Sequence, residues 1–449
     1  MPNDLNNTPS ANRVHIAFFG RRNAGKSSLV NAVTGQNIAI VSDVRGTTTD
    51  PVSKAMELLP SGPVVIIDTP GIDDEGELGS LRVKRSYQVL NKTDVAILVV
   101  DAGLGMQPED EALLERIRLK EIPYLVVYTK ADLASDLSNG GKDGGKGCGE
   151  DSGIDGSPAC AAPAPADSCQ AEVGASADAA LSTVPAPADS IYVSSRTGAN
   201  IYELKERIAS LAKNTGTERK IISDLLTRED IVILVTPIDS SAPKGRMILP
   251  QVQTIRDILD AHAAPLVTQT EELTAMLQAL AKKPFAVVTD SQAFNTVMKI
   301  VPDEIPLTSF SILMARRKGI LETAARGAFE AEKLRDGDRV LISEGCTHHR
   351  QCEDIGTVKL PGWLRKFTGK ELGFSFTSGT EFPDDLSEYA LVVHCGGCML
   401  NDREMRYRMK CAVDQGVPFT NYGTLIAHMN GILRRSLSLF PGHTTSEVK

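Results

Sequence analysis

Along residues 13–133 short apolar runs recur at strand length, separated by stretches whose apolar positions fall three and four apart. That alternation predicts a mostly parallel sheet covered by helices, because parallel strands are buried on both faces and need helical crossovers. The strand candidates are Val14–Phe19, Val64–Ile67, Val95–Val100 and Tyr124–Tyr128. The pattern then stops. From about Ser135 to Ser190 the chain is Gly, Ala, Pro, Asp and Ser, with almost no aromatic or branched apolar residue. Such a segment cannot bury enough surface to offset its ordering entropy, so a disordered insertion is expected there. Order resumes at Ile191–Ser194 and a helix from Ile201 to Lys213. A second series follows, with strands Ile231–Thr236, Leu266–Thr268, Phe285–Thr289 and Pro306–Ser311 and helices near Val252–Ala261 and Glu271–Lys282. Ile312 to Leu334 reads as one long helix into a last segment, whose strands Arg339–Ser343 and Tyr389–His394 end in cysteine and histidine motifs.

At 449 residues the chain is too long for one core, and about one domain per 150 residues suggests three. The net charge of -9 argues against a general nucleic-acid binder, which needs a basic face for phosphates. Met1 to Asn12 is polar and lacks the start of a secretory peptide, and no apolar run approaches the roughly 18 residues of a membrane span. A cytoplasmic protein with no nucleic-acid or membrane partner is expected. Of eight cysteines, Cys148, Cys160 and Cys169 lie in the polar insertion without regular spacing. They read as incidental thiols.

Gly20-Arg21-Arg22-Asn23-Ala24-Gly25-Lys26-Ser27 fits G-x-x-x-x-G-K-[ST] between an expected strand and an expected helix. Such a loop curls backbone N–H groups around phosphates, and the helix N-terminus adds its positive end. Lys26 is placed to reach the β- and γ-phosphates and Ser27 to bind Mg²⁺, with Ala24 and Ser28 completing the contacts. Asp68-Thr69-Pro70-Gly71 ends the next core strand, where Asp68 can hold the magnesium shell and the Gly71 amide can meet the γ-phosphate. Thr129-Lys130-Ala131-Asp132 ends a later one. Asp132 can accept from guanine N1–H and the exocyclic amine, a pattern adenine lacks. Ser194 and Ser195 follow the last strand of this part and are placed to close over the base. Four motifs in order at strand ends point to GTP rather than ATP.

This set resembles the tRNA-modification and ribosome-assembly branch of small GTPases, whose second motif reads G-T-T-R-D. Here it is Gly46-Thr47-Thr48-Thr49-Asp50, and the match implies that Thr48 is the switch threonine on Mg²⁺. Thr129 replaces the usual Asn of N-K-x-D, which removes one contact to the base. Ile72 stands where Ras-like enzymes carry a glutamine. In this branch an Asn in the phosphate loop marks K⁺-dependent members; Asn23 matches it, which implies a K⁺ ion in the role of an arginine finger.

The second constellation is Cys346-Thr347-His348 and, after residues 349–393, His394-Cys395-Gly396-Gly397-Cys398. Thiolates and imidazoles ligate zinc and iron–sulfur centres, and a C-x-x-C pair after a strand brings two sulfurs to one centre. Zinc would want Cys346, Cys395, Cys398 and one of His348 or His394. A [4Fe–4S] cluster on the three cysteines would leave one iron open, with either histidine as a possible fourth ligand. Cys352 and Cys411 read as core thiols and His349 as a solvated neighbour.

C-x-H, a gap of this length, then H-C-x-x-C downstream of a K⁺-type GTPase domain resembles the GTPases that mature [FeFe]-hydrogenase. Lys244-Gly245-Arg246-Met247-Ile248-Leu249-Pro250-Gln251 and Asn421-Tyr422-Gly423 are similar to that family too. The resemblance covers nearly the whole chain except the insertion. It implies an α/β chain of three domains: a flexible 1–12, a P-loop GTPase fold at 13–215, a small α/β dimerisation domain at 216–311 and an α/β iron–sulfur domain at 312–449. It further implies a scaffold that holds a [4Fe–4S] cluster and a di-iron precursor as cargo, self-associates as a dimer or higher, receives the cargo from radical-SAM maturases and passes it to apo-[FeFe]-hydrogenase. The alternative is an RNA-modification or ribosome-assembly GTPase with a structural zinc domain, or a bare zinc knot under a nucleotide switch.

Overall fold

The computed structural model describes residues 8–36, 51–73, 76–133, 189–214, 219–237, 247–345, 355–379 and 381–441. The expected insertion therefore lies outside the described residues except at its end, where Ser190 already opens a strand. Thr48, Cys346, His348, His349 and Cys352 also lie outside them. The chain divides into two compact units, one of residues 15–62 and 66–215, the other of residues 1–14, 63–65 and 216–449. No helix among the described residues is long and apolar enough to cross a membrane.

The first unit is built on six strands: β1 (Val14–Phe19), β2 (Val52–Leu58), β3 (Gly62–Asp68), β4 (Val95–Asp101), β5 (Tyr124–Thr129) and β6 (Ser190–Tyr192), in the order β2-β3-β1-β4-β5-β6. β1, β4, β5 and β6 run parallel. Phe18, Phe19, Ile97 and Val99 have no exposed surface, as expected of strands sandwiched between helices. The hairpin strand β2 was not expected: its first four residues are exposed and only Leu58 is buried, so no apolar alternation announces it. The helix Lys26–Thr34 follows β1, and the chain order leaves β1 with β3 on one side and β4 on the other. Open α/β sheets bind ligands at the carboxyl ends of strands where the order reverses, and β1 ends at that point.

The second unit holds two four-stranded sheets, parallel throughout. One is β7 (Ile231–Val235), β8 (Ala264–Thr268), β9 (Ala286–Thr289) and β10 (Leu307–Ser309), in the order β10-β9-β7-β8. The other is β11 (Arg339–Glu344), β12 (Gly373–Ser378), β13 (Leu391–His394) and β14 (Phe419–Asn421), in the order β12-β11-β13-β14. A single run of buried apolar side chains from Ile221 to Phe440 serves both sheets, so the segments read from sequence as two domains share one core.

The expected long helix is two. Helix Phe310–Lys318 follows β10 directly, with Ser309 Oγ accepting from Ile312 N at 3.3 Å as its N-cap. It ends at Gly319, whose φ of +73° only glycine adopts cheaply and where a Cβ would fall 1.4 Å from Arg219 Nη1. A second helix then runs Leu321–Phe329. Apolar periodicity continued across the break, and the glycine was the only sequence sign of it.

Candidate nucleotide and metal sites

The loop after β1 has the strained backbone that a phosphate cradle requires. Gly20 takes φ +143°, and a Cβ there would lie 2.2 Å from Val99 O on the neighbouring strand. Asn23, not a glycine, takes φ +59°. Lys26 is buried and its Nζ donates to the loop's own carbonyls, Gly20 O at 2.8 Å and Arg21 O at 2.6 Å. Those bonds lay the ammonium across the mouth of the loop.

Ser27 Oγ donates to Asp68 Oδ2 at 2.7 Å, so the two motif residues expected around Mg²⁺ meet. Asp68 Oδ1 is buried and has no hydrogen-bond partner among the described residues. Burial holds the Asp68 carboxyl above its usual range, against the pull of Ser27 and Lys26. A buried carboxylate oxygen without a partner is costly, and a divalent cation beside Ser27 would satisfy it. The donor set fits magnesium. Thr69 ties this strand end to β1 through Oγ1 to Phe18 O at 2.7 Å, and Gly71 packs on the loop at Arg22.

On the base side, Thr129 does something the motif comparison did not anticipate. Its Oγ1 donates to Ala24 O at 2.5 Å and lies 3.1 Å from Val100 O, tying the end of β5 to the phosphate loop and to β4. Lys130, with φ +57°, bonds Asn23 O at 2.7 Å and Asp101 Oδ2 at 2.6 Å. Asp132 is half-buried just beyond. Ala131 N donates to Val193 O at 3.3 Å, which brings the two base-side segments together. Ser194 builds the turn that follows, accepting Thr197 N on its Oγ at 3.2 Å and donating its own N–H to Ala199 O at 3.2 Å; Ser195 is half-buried beside it.

The cysteine site sits at the reversal of strand order in the last sheet. β11 has β12 on one side and β13 on the other, and the H-C-x-x-C motif leaves the carboxyl end of β13. Cys395 Sγ accepts from Gly345 N at 3.1 Å and from Gly397 N at 3.4 Å. Gly345 is the last described residue after β11, and Cys346 follows it in sequence. Burial pushes the Cys395 thiol up to about 12, with Cys398 adding to it, and burial raises Cys398 as well although Lys318 opposes this. Two thiols in an apolar turn with N–H donors already on one sulfur are a donor set that a thiophilic metal centre fits. Among the described residues no group of three or more His, Cys, Asp or Glu is arranged around a metal; Cys346 and His348 are not among them.

His394, expected as a possible ligand, is engaged elsewhere. The ring is fully buried: Nδ1 lies 2.9 Å from Cys395 O and Nε2 3.2 Å from Arg408 Nη1. Burial, then the Arg408 charge, depress its pKa to about 3. A neutral imidazole with Nδ1–H donating to the carbonyl and Nε2 accepting from the guanidinium satisfies both contacts and leaves neither nitrogen for a metal. Arg408 also bonds Glu404 Oε1 at 2.9 Å and Gly379 O at 2.7 Å. Two more supports come from helix Phe310–Lys318. Lys318 Nζ, buried, donates to Leu400 O at 2.5 Å and pairs with Asp402 Oδ1 at 3.0 Å. Ser311 Oγ accepts from Gly423 N at 3.2 Å. Sequence reasoning missed Arg408 and Lys318 because surface and buried cations read alike in a helix. The i,i+4 Glu404 was the one available sign.

Residues 15–130 match the 50S ribosome-binding GTPase family, 221–319 the hydrogen maturase F dimerization domain and 322–439 the hydrogen maturase F tetramerization domain. Over 124 residues the chain is 37% identical to the tRNA modification GTPase MnmE of Chromobacterium violaceum, covering 27% of each chain. It is 38% identical over 122 residues to GTPase Era of Caldicellulosiruptor saccharolyticus, covering 27% of this chain and 40% of that one. The match thus spans well under half the length of these relatives. A solved structure of Era in complex with MgGDPNP and a stretch of 16S ribosomal RNA aligns at 15% identity and TM-score 0.30 over 82% of this chain and 92% of its own, too low a score to bear on the argument. With both maturase domains in order behind a GTPase domain, the chain belongs to the hydrogen maturase F family.

Proposed function

We propose that the chain is a GTP-hydrolysing scaffold that carries a [4Fe–4S] cluster and a di-iron precursor, and delivers the precursor to apo-[FeFe]-hydrogenase. The observation that carries the reading is the pairing of two sites at strand-order reversals: Ser27 on Asp68 beyond β1, and the Cys395 turn against Gly345 beyond β11 and β13. At the first, Lys26 and the loop amides hold the phosphates. Ser27, Asp68 and, by resemblance, Thr48 hold Mg²⁺, which neutralises phosphate charge when bound. Thr129, Lys130, Asp132, Ser194 and Ser195 shape the guanine side, with Asp132 the discriminating acceptor. Asn23 is the residue assigned to K⁺.

At the second site Cys395 and Cys398, with Cys346 from the adjoining segment, supply thiolates, and His348 remains the candidate for an exchangeable position. Self-association follows from the two maturase domain types. Radical-SAM maturases as donors complete the scheme, and a cytoplasmic location goes with it.

The test is hydrogen evolution after mixing the chain with apo-hydrogenase, the other maturation proteins and GTP. Lys26→Ala should keep its iron and the Cys346/Cys395/Cys398 triple alanine variant should keep GTP hydrolysis, while both fail to activate. Full activation by the cysteine variant would sink the carrier reading. The names of the curated relatives favour one rival, an RNA-modification GTPase with structural zinc. Anaerobically purified protein that is colourless and contains zinc instead of iron and sulfide selects it.

A further inference from the structure

Asp73 lies two residues beyond Gly71 and belongs to none of the motifs above, yet its carboxylate rests on the phosphate loop. Oδ1 accepts from Arg22 N at 2.7 Å, and Oδ2 lies 3.6 Å from Arg21 Nε. Residues 71–73 are packed flat on this part of the loop: a Cβ on Gly71 would meet Arg22 Cγ at 2.4 Å, Asp73 Oδ1 at 3.0 Å and Arg22 N at 3.1 Å. The Asp73 side chain is only one-fifth exposed, at 20%. Glu109 Oε2 stands 3.7 Å from the same Arg21 Nε, so Arg21 bridges two carboxylates. Loop amides between a strand and a helix form an anion cradle. Here one amide at the edge of that cradle is held by an anion of the protein itself.

The inference rests on the nucleotide reading above, in which Gly71 marks the end of the cradle that receives the third phosphate. GDP stops one phosphate short of that edge. We infer that Asp73 is the residue that discriminates GTP from GDP in this site, because its carboxylate and the third phosphate compete for the Arg21–Arg22 edge of the loop. A γ-phosphate brings negative charge towards a half-buried carboxylate, and like charges brought close disfavour each other. Accommodating GTP therefore requires the carboxylate to let go of Arg22 N, whereas GDP leaves that bond intact. Release frees residues 71–73, which lead towards helix Gly76–Leu90. The third phosphate is thus sensed through the loss of a bond as well as the gain of one.

The experiment is equilibrium titration of the full-length chain with fluorescent GDP and fluorescent GDPNP in Mg²⁺, for the unmodified protein, Asp73→Asn and Asp73→Ser. Asn keeps the size of the side chain and removes the charge. Melting temperature with GDP verifies that each variant is folded. The expected result is GDP affinity within about twofold of the unmodified chain and GDPNP affinity raised about tenfold, the scale of one partly screened charge-assisted bond. Equal losses for both nucleotides would make Asp73 a mere structural cap and overturn the inference. An unchanged GDPNP-to-GDP ratio in both variants overturns it as well. A chain that binds neither nucleotide in unmodified form overturns the nucleotide reading itself, which separates the two failures.

Discussion

Arg408 Nη1 donates to His394 Nε2 at 3.2 Å, joining a buried guanidinium to the histidine that opens the cysteine motif. With Nδ1 on Cys395 O, the ring acts as a spacer between the cation and the backbone of the cysteine turn. His394→Gln, which can keep one of the two bonds, should leave iron content after anaerobic reconstitution nearly unchanged and lower thermal stability. Loss of most of the iron in that variant would make His394 a ligand after all.

Removing the cation is a harsher test. Arg408→Met strands Glu404 in the interior, and breaking a buried pair from one side costs about 3–5 kcal/mol. Chemical denaturation of the variant should show that loss, and a change under about 1 kcal/mol would mean that the network relaxes around the gap.

Thr129→Ala removes the hydroxyl that lies between Ala24 O and Val100 O, and losing that buried hydrogen bond costs about 1 kcal/mol. Because one of those acceptors is in the phosphate loop, GTP affinity should fall along with stability. Thr129→Ser, which retains the hydroxyl, should recover most of both. Isothermal titration and a melting curve on the two variants decide it.

The nucleotide site was legible because its chemistry is written in consecutive residues: the loop 20–27, Asp68 to Gly71 and Thr129 to Asp132 each sit at one strand end. The same holds for Cys395 and Cys398. Residues that work across the fold left no such mark. Asp73 looks like one acid in the run Asp73-Asp74-Glu75 until its bond from Arg22 N is seen, and Lys318 like one base in Arg316-Arg317-Lys318 until packing shows it to be the buried one of those three. Strands β12 and β14 escaped notice for a related reason. β12 has no fully buried residue, and β14 is three residues long with a buried Thr and Asn, so neither gives an apolar run.

Gly319→Ala tests the break between the two helices that the apolar pattern hid. A left-handed residue with a Cβ costs roughly 1–2 kcal/mol, and here the methyl also displaces the Arg219 guanidinium. Thermal melts should show a loss of at least that size. An unchanged melting temperature would mean that the helix C-terminus is held by other contacts.

Lys318→Met keeps the unbranched apolar stem of the side chain, one atom shorter, and removes the donor to Leu400 O and the partner of Asp402. The turn from Cys398 to Leu400 should then open more often, so a chelator should strip iron faster from reconstituted protein. Lys318→Arg should rescue it only in part, because the buried space suits an ammonium. Identical release rates for all three proteins would confine Lys318 to a packing role.

Helix Phe310–Lys318 also sets a limit on modularity. It runs straight from β10 without a linker and falls within the 221–319 family segment, yet Ser311 and Lys318 brace Gly423, Leu400 and Asp402 of the next. Grafting residues 322–439 onto another protein would carry the cysteine turn away from its floor. A cut made before Phe310 carries the braces along with the cysteine turn, and a cut at the family border leaves that turn with an open underside.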